Sequence, residues 1–207
     1  MIIFYFHGIF GSYDGPDWYD LNHAGNFLHY GCWGQIGSNK IAGKGEPKDA
    51  VDKAFRDWEM CRSCIEMDGD GSCEMENFRY QMGVSLENRL TCDGNWISTE
   101  FPCALHLCSC DEALANTFTS LWEEFDTELT TVNGFDHAAS CLPKPTSGGS
   151  CAAHAATETV AQVCCGEYPT RFPFNNKGGC MSCCGAKTYN IYNHSCCDDT
   201  IQNLGNC

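Results

Sequence analysis

The 207-residue chain has few basic residues: 12 Lys and Arg stand against 27 Asp and Glu, a formal net charge of −15 at pH 7. No local run of basic residues offsets this balance, and so acidic a surface repels phosphate backbones and anionic headgroups. The sequence also has no stretch approaching the ~20 apolar residues that a membrane-spanning helix needs. We therefore expect neither nucleic-acid binding nor a membrane span.

The apolar N-terminus, MIIFYFHGIF, lacks the basic residues that begin a signal peptide. We expect that a leader has been removed or that the chain starts inside a longer precursor. Ile2, Phe4 and Phe6 recur with the two-residue period of a strand. Two interpretations stay open: a strand buried in its own domain, or an assembly arm that pairs with a neighbouring molecule.

Cysteine is abundant, with 18 residues and an even count. Cysteine at this density is normally paired in an oxidising compartment. Zinc sites would need matched C-x-x-C pairs, and only Cys61/Cys64 and Cys180/Cys183 have that spacing. The sequence therefore predicts a secreted, extracellular, disulfide-bonded protein with no resident cofactor.

The composition changes near residue 143, where prolines and a Ser-Gly-Gly-Ser run precede a dense group of cysteines. We expect an apolar N-terminal arm at 1–17, a main domain at 18–141, a linker at 142–150 and a cysteine-rich module at 151–207.

Apolar residues spaced by three and four predict two long amphipathic helices, at 49–67 and from Pro102 to about residue 126. A shorter helix is expected at Trp18–Leu28 and a small hairpin within 78–91. The fold class is therefore mainly α and disulfide-rich, with an irregular C-terminal module.

The segment Asp68-Gly69-Asp70-Gly71 invites comparison with a calcium-binding EF-hand loop. That loop needs glycine at its sixth position and a carboxylate at its twelfth. Cys73 and Arg79 occupy those positions, so an ordinary solvated turn is expected.

Several short motifs between residues 18 and 126 occur in a distinctive order and spacing. They are Tyr30-Gly31-Cys32-Trp33-Gly34 with Gly43, Gly45 and Pro47; Asp49-x-x-Asp52; Trp58-Glu59-Met60-Cys61; Leu90-Thr91-Cys92 with Gly94-Asn95; and Cys108-Ser109-Cys110-Asp111 with Ala113, Ala115 and Phe118. On these residues the chain resembles the secreted phospholipase A2 family, which implies two long antiparallel helices and a small hairpin.

The resemblance also indicates a degenerate site. It places Trp58 where the family has its catalytic histidine and Glu59 where the family has a calcium-binding aspartate. An indole N–H only donates, so it cannot act as a base near neutral pH. Asp111 then has no histidine to orient, and we expect it to hold a structural hydrogen bond. His29 and His106 are the nearest other histidines, and both are expected to be ordinary surface or core residues.

Calcium is a weak possibility in this interpretation. The residues that the resemblance offers for it are Trp33 and Gly34 in the loop and Glu59 on the first helix. The loop lacks a cysteine that the family has after Trp33 and carries additional residues before Gly43. We therefore expect no confident metal site.

The same resemblance implies particular disulfide bridges. They are Cys61–Cys110 between the helices, Cys92–Cys108 between hairpin and helix, and a bridge from Cys103 to either Cys73 or Cys64. Bridges of this kind each contribute a few kcal/mol in the usual model.

The C-terminal sequence repeats Cys-Cys pairs, two of them followed by Gly, and resembles galaxin-like extracellular matrix modules. Adjacent cysteines rarely bond each other, so each pair is expected to send bridges in two directions. Asn193-His194-Ser195 is the only N-x-S/T sequon, and a glycan is expected on Asn193.

Three functions follow from these patterns. A non-catalytic extracellular structural protein that self-associates into a matrix or filament is favoured. A secreted binding module or toxin-like ligand for calcium, mineral, a glycan or a receptor is the alternative, and an active calcium-dependent phospholipase is the third.

Overall fold

The structure is a computed structural model that describes residues 29–35, 43–69, 72–73, 80, 82–87, 89–92, 102–142, 151 and 162–207. The N-terminal arm with Ile2, Phe4 and Phe6, the helix predicted at 18–28 and the linker beyond residue 142 lie outside the described residues.

The chain groups into two compact units, each assembled from three segments. One unit holds the described residues up to Glu59, within 81–96 and from Asp111 to Lys144; the other holds those from Met60 to Tyr80, within 97–110 and beyond Pro145.

Helix α1 (Ala50–Asp68) forms because its apolar residues recur every three or four positions. The side chains on its buried face are Val51, Ala54, Phe55, Trp58, Cys61, Cys64 and Ile65. Asp49 caps the start of the helix, since its Oδ1 accepts the backbone N–H of Asp52 at 2.7 Å. The helix predicted at 49–67 is confirmed to within one residue.

Helix α2 (Pro102–Ser120) begins with proline in the first turn, where the missing N–H costs no intrahelical bond. The predicted extension to residue 126 is wrong, because the chain continues as 3₁₀ turns at Trp122–Glu124, Thr127–Leu129 and Thr131–Asn133. The spacing of Trp122 and Phe125 suggested helix, but their rings stack on each other with centroids 6.0 Å apart.

The two helices run antiparallel, as the resemblance implies. The ring of Phe55 meets that of Phe118 at 5.6 Å between centroids. One turn further along α1, Trp58 contacts Asp111, which lies two turns earlier on α2. These contacts place the middle of each helix against the other.

Short antiparallel strands also occur between residues 29 and 92. Strands β1 (His29–Tyr30) and β2 (Gly34–Gln35) pair across a tight turn. Strands β3 (Met82–Val84) and β4 (Leu90–Cys92) form the predicted hairpin, which starts later than the expected residue 78. A short helix α3 (His137–Ser140) follows the 3₁₀ turns.

Contrary to expectation, the described C-terminal residues 162–207 are not irregular but form three antiparallel hairpins. They are β5–β6 (Gln162–Cys165 with Phe172–Asn175), β7–β8 (Met181–Cys184 with Lys187–Asn190) and β9–β10 (His194–Cys197 with Thr200–Asn203). The description "mainly α" therefore fits the helical part of the chain and not this module.

Each hairpin has the same construction: its first strand has four residues and ends in a Cys-Cys pair immediately before the turn. Neighbouring residues of a strand point to opposite faces, so one pair can form bridges on both faces. The bridges that follow, called here the disulfide series, are Cys64–Cys164, Cys165–Cys183, Cys184–Cys196 and Cys197–Cys207. In the two middle bridges the second cysteine of one pair bonds the first cysteine of the next pair, and the series ends at the single cysteines Cys64 and Cys207.

Four further bridges are Cys32–Cys141, Cys61–Cys110, Cys73–Cys103 and Cys151–Cys180. Cys92 and Cys108 are disulfide-bonded as well. The sequence left the partner of Cys103 open between Cys73 and Cys64. In the structure that partner is Cys73, because Cys64 is bonded to Cys164.

Within the described ranges, neither long helix is apolar enough over a sufficient length to cross a bilayer.

We predict that mass mapping of non-reduced digests joins Cys64 to Cys164 and Cys73 to Cys103. Recovery of a peptide that joins Cys64 to Cys103 would contradict this pairing. The double variant Cys64→Ser, Cys164→Ser removes the Cys64–Cys164 bridge and should lower the free energy of unfolding by roughly 2–5 kcal/mol. The Cys61–Cys110 peptide serves as the internal control.

Candidate functional site

The loop before α1 is held by one buried carboxylate. Asp52 has no exposed surface and accepts backbone N–H bonds from Cys32 at 2.9 Å, Trp33 at 2.8 Å and Lys48 at 2.9 Å. Burial raises the pKa of Asp52, although the three N–H donors act against that rise. Gly31 is required beside it, since a Cβ there would lie 2.4 Å from the carboxyl carbon.

A second carboxylate fixes the strand that enters the loop. The buried Tyr30 hydroxyl donates to Asp49 Oδ2 and accepts the backbone N–H of Asp126 at 3.2 Å. Burial and the bond to Asp49 raise the pKa of Tyr30, so this phenol stays protonated. The N-terminal end of α1, the strand and the 3₁₀ segment are thereby joined.

The loop is also attached to the short helix α3. Cys32 forms its disulfide with Cys141, and the carbonyl oxygen of Cys32 lies 3.1 Å from Nε2 of buried His137. Lys48 Nζ donates to the Ser140 carbonyl at 2.7 Å. His137 was not identified from the sequence, because it lies more than 100 positions from its partner.

Trp58 and Asp111 form the central pair of the site. Both are buried, and the indole Nε1–H of Trp58 donates to Asp111 Oδ1. This contact gives Asp111 the structural hydrogen bond expected of it. An indole N–H has no lone pair that could accept a proton, so Trp58 itself cannot act as a general base.

Glu59 and Trp33 meet at Gly43. A Cβ built on Gly43 would lie 2.2 Å from Trp33 Cε3 and 2.6 Å from Glu59 Oε2, so the ring and the carboxylate both press on this glycine. The Trp33 indole donates in turn to the Gly45 carbonyl at 3.2 Å. Both side chains were singled out from the sequence, and the structure brings them together.

The described residues do not assemble the oxygen ligands of the calcium ion that the resemblance suggests. Calcium takes six to eight oxygen ligands, whereas Glu59 is the carboxylate at Gly43 and the Gly45 carbonyl is bonded to Trp33. Among the described residues, no group of three or more His, Cys, Asp or Glu is placed to hold a metal.

A separate group of charged and aromatic side chains, the Asp68 cluster, consists of Asp68, His106, Tyr168 and Arg171. Arg171 binds Asp68 with two nitrogens, at 2.7 and 3.0 Å, and the Tyr168 hydroxyl donates to Asp68 at 2.9 Å. The His106 ring stacks on Tyr168 with centroids 3.9 Å apart. The sequence predicted an ordinary solvated turn at Asp68, whereas the structure places this carboxylate in an ion pair with Arg171.

Electrostatics in the Asp68 cluster follow from these contacts. Partial burial acts to raise the pKa of Asp68, but the hydrogen bonds from Arg171 and Tyr168 outweigh it and hold that pKa below its usual value. Burial lowers the pKa of His106, with the charge of Asp68 opposing and that of Arg171 adding to the shift. Protonation of Asp68 and of His106 at low pH therefore weakens the interactions of this cluster.

Comparison with known proteins identifies the family. Residues 18–130, more than half of the chain, match the phospholipase A2 family model, and the chain belongs to that family.

Three curated relatives support the assignment. The chain is 32% identical over 93 residues to the mouse protein "Phospholipase A2, membrane associated", covering 45% of this chain and 55% of that one. It is 32% identical over 89 residues to rat group 10 secretory phospholipase A2, covering 43% and 50%. It is 31% identical over 92 residues to mouse group IID secretory phospholipase A2, covering 44% and 54%. The chain thus spans about half the length of these relatives, and the bridges are consistent with an extracellular location.

We predict that Asp68→Asn destabilises the oxidised protein at neutral pH and not in strong acid. Because the folded pKa lies below the unfolded value of about 3.9, the ion pair contributes fully above that pH. Its contribution is lost as the pH falls through the folded pKa. Thermal unfolding between about pH 7 and about pH 2 should show a difference of at most about 1 kcal/mol at neutral pH, shrinking towards zero in acid.

The matched control is Asp198→Asn, which removes an exposed turn carboxylate at φ 49°, a conformation that asparagine tolerates. An Asp68→Asn effect that equals the control, or that persists unchanged in acid, would contradict the assignment of this ion pair.

Proposed function

We propose that this family member does not hydrolyse phospholipid and serves as an extracellular structural subunit. The observation that carries the proposal is the indole N–H bond from Trp58 to Asp111. The family resemblance places a catalytic histidine at residue 58, and the tryptophan there keeps the donor and loses the base. In this proposal the buried Asp111 keeps a hydrogen-bond donor, while the site no longer has a side chain that can deprotonate water.

The neighbouring position supports the same conclusion. Glu59 directs its carboxylate to Gly43, where the ring of Trp33 also packs. Hydrolysis by the family route needs a base and a positive charge to stabilise the oxyanion. The described residues at this position supply one carboxylate and an indole ring.

The structural role is supported by the C-terminal module. Among its described residues, the buried side chains are Cys151, Cys165, Cys180 and Cys184, so covalent bridges take the place of an apolar core. The repeated Cys-Cys hairpins resemble galaxin-like matrix modules, and the apolar arm Ile2–Phe6 suits a joint between copies. We propose a self-associating matrix or filament subunit.

We predict no calcium-dependent release of fatty acid from micellar phospholipid by the wild-type chain or by the double variant Trp58→His, Glu59→Asp. Restoring the two side chains does not rebuild the loop in which Trp33 covers Gly43. An active family member is the positive control, and unfolding curves verify that the variant is folded. Turnover by the double variant would show that the loop is competent, and wild-type turnover would overturn the proposal.

We predict that sedimentation velocity detects concentration-dependent assembly of the intact chain. A monomer at all concentrations would contradict the structural-subunit role and favour the secreted ligand instead. Deleting residues 1–12 tests separately whether the chain self-associates and whether the N-terminal arm forms the contact between copies. If the folded deletion variant still assembles, the arm is not the joint, whereas loss of assembly supports the arm.

A further inference from the structure

The turn between β8 and β9 presents one asparagine to solvent in a fixed conformation. Asn193 is exposed; its backbone N–H donates to the Asn190 carbonyl at 3.1 Å, and its own carbonyl accepts from Leu204 at 3.1 Å. The side-chain oxygen of Asn190 also accepts the Tyr192 backbone N–H at 2.8 Å. The turn is therefore held by backbone bonds and by the Asn190 side chain, while residues 191–193 are exposed.

The surroundings of Asn193 are unusually apolar for an exposed turn. Ile191, Tyr192 and Leu204 expose 37%, 51% and 61% of their surface. Two of them precede Asn193 in the chain, and the third is bonded to its carbonyl. An exposed group of apolar side chains usually marks a surface that something covers.

We propose that Asn193 carries an N-linked glycan and that its first sugars cover this group of apolar side chains. Ser195 completes the sequon on β9, where it pairs with Gln202. The proposal goes beyond the structural role and does not depend on it.

The chemistry is a transfer from a lipid-linked oligosaccharide diphosphate. The amide nitrogen of Asn193 bonds to the anomeric carbon of the first sugar and gives up one proton. The bond from that carbon to the diphosphate oxygen breaks, and the lipid diphosphate leaves with the electron pair. No oxidant or reductant is needed.

The test is the intact mass of protein secreted from a eukaryotic host, before and after treatment with a peptide N-glycosidase that converts the linked asparagine to aspartate. We expect a mass above that of the sequence, with the conversion located at Asn193. Asn193→Gln and Ser195→Ala should each return the protein to the sequence mass. Ser195→Thr and the nearby control Asn203→Gln should keep the glycan.

An unmodified Asn193 in a host that glycosylates a reference sequon would overturn the proposal. The covering role has its own readout, the binding of a hydrophobic dye to the folded protein. Enzymatic removal of the glycan should increase dye binding several-fold, and Leu204→Ser should reduce that increase. A glycan whose removal leaves dye binding unchanged would overturn the covering role, and this result needs no variant to fold.

Discussion

A buried carboxylate in the middle of a helix pair must have a hydrogen-bond donor, and in this protein Trp58 provides it for Asp111. An unpaired charge at this depth costs several kcal/mol, so a donor is needed whether or not the site performs chemistry. Tryptophan meets the structural requirement with a single N–H and a large apolar ring. The helix pair can therefore be held together at this point by a donor that is not itself a base.

Further hydrogen bonds fix the loop and the strand that precede α1. Asp52 secures the loop at its three backbone N–H groups, and Tyr30 joins the entering strand to the cap of α1 through Asp49. Elsewhere the chain depends on covalent bonds: in the C-terminal hairpins, cysteines alone are buried among the described residues. Such a module does not need the apolar area that a small domain otherwise lacks.

The sequence predicted what depends on periodicity and motif spacing. Helix α1 was located to within one residue because its apolar positions follow a regular helical period. The same reasoning extended α2 too far, because Trp122 and Phe125 keep helical spacing while stacking in a 3₁₀ segment. Spacing alone cannot separate these two cases.

Two other features were beyond sequence reasoning. The C-terminal strands were missed because the first strand of each hairpin ends in two adjacent cysteines, which give no alternation of apolar and polar residues. The ion pair of Asp68 with Arg171 joins residues 103 positions apart, and no local pattern connects them. At the site itself, Trp58, Glu59 and Asp111 were identified by the resemblance, while Asp52 and His137 gained their roles only from the three-dimensional contacts.

The most direct measurement is the ¹H–¹⁵N spectrum of the tryptophan indoles, with Trp58 assigned by Trp58→Phe. We expect the Trp58 indole proton to be shifted downfield and to exchange slowly with water. Asp111→Ala should abolish both properties, while Asp111→Asn, which keeps an acceptor oxygen, should preserve them in part. A Trp58 indole that exchanges like an exposed one and does not respond to Asp111→Ala would contradict the structural role of this pair.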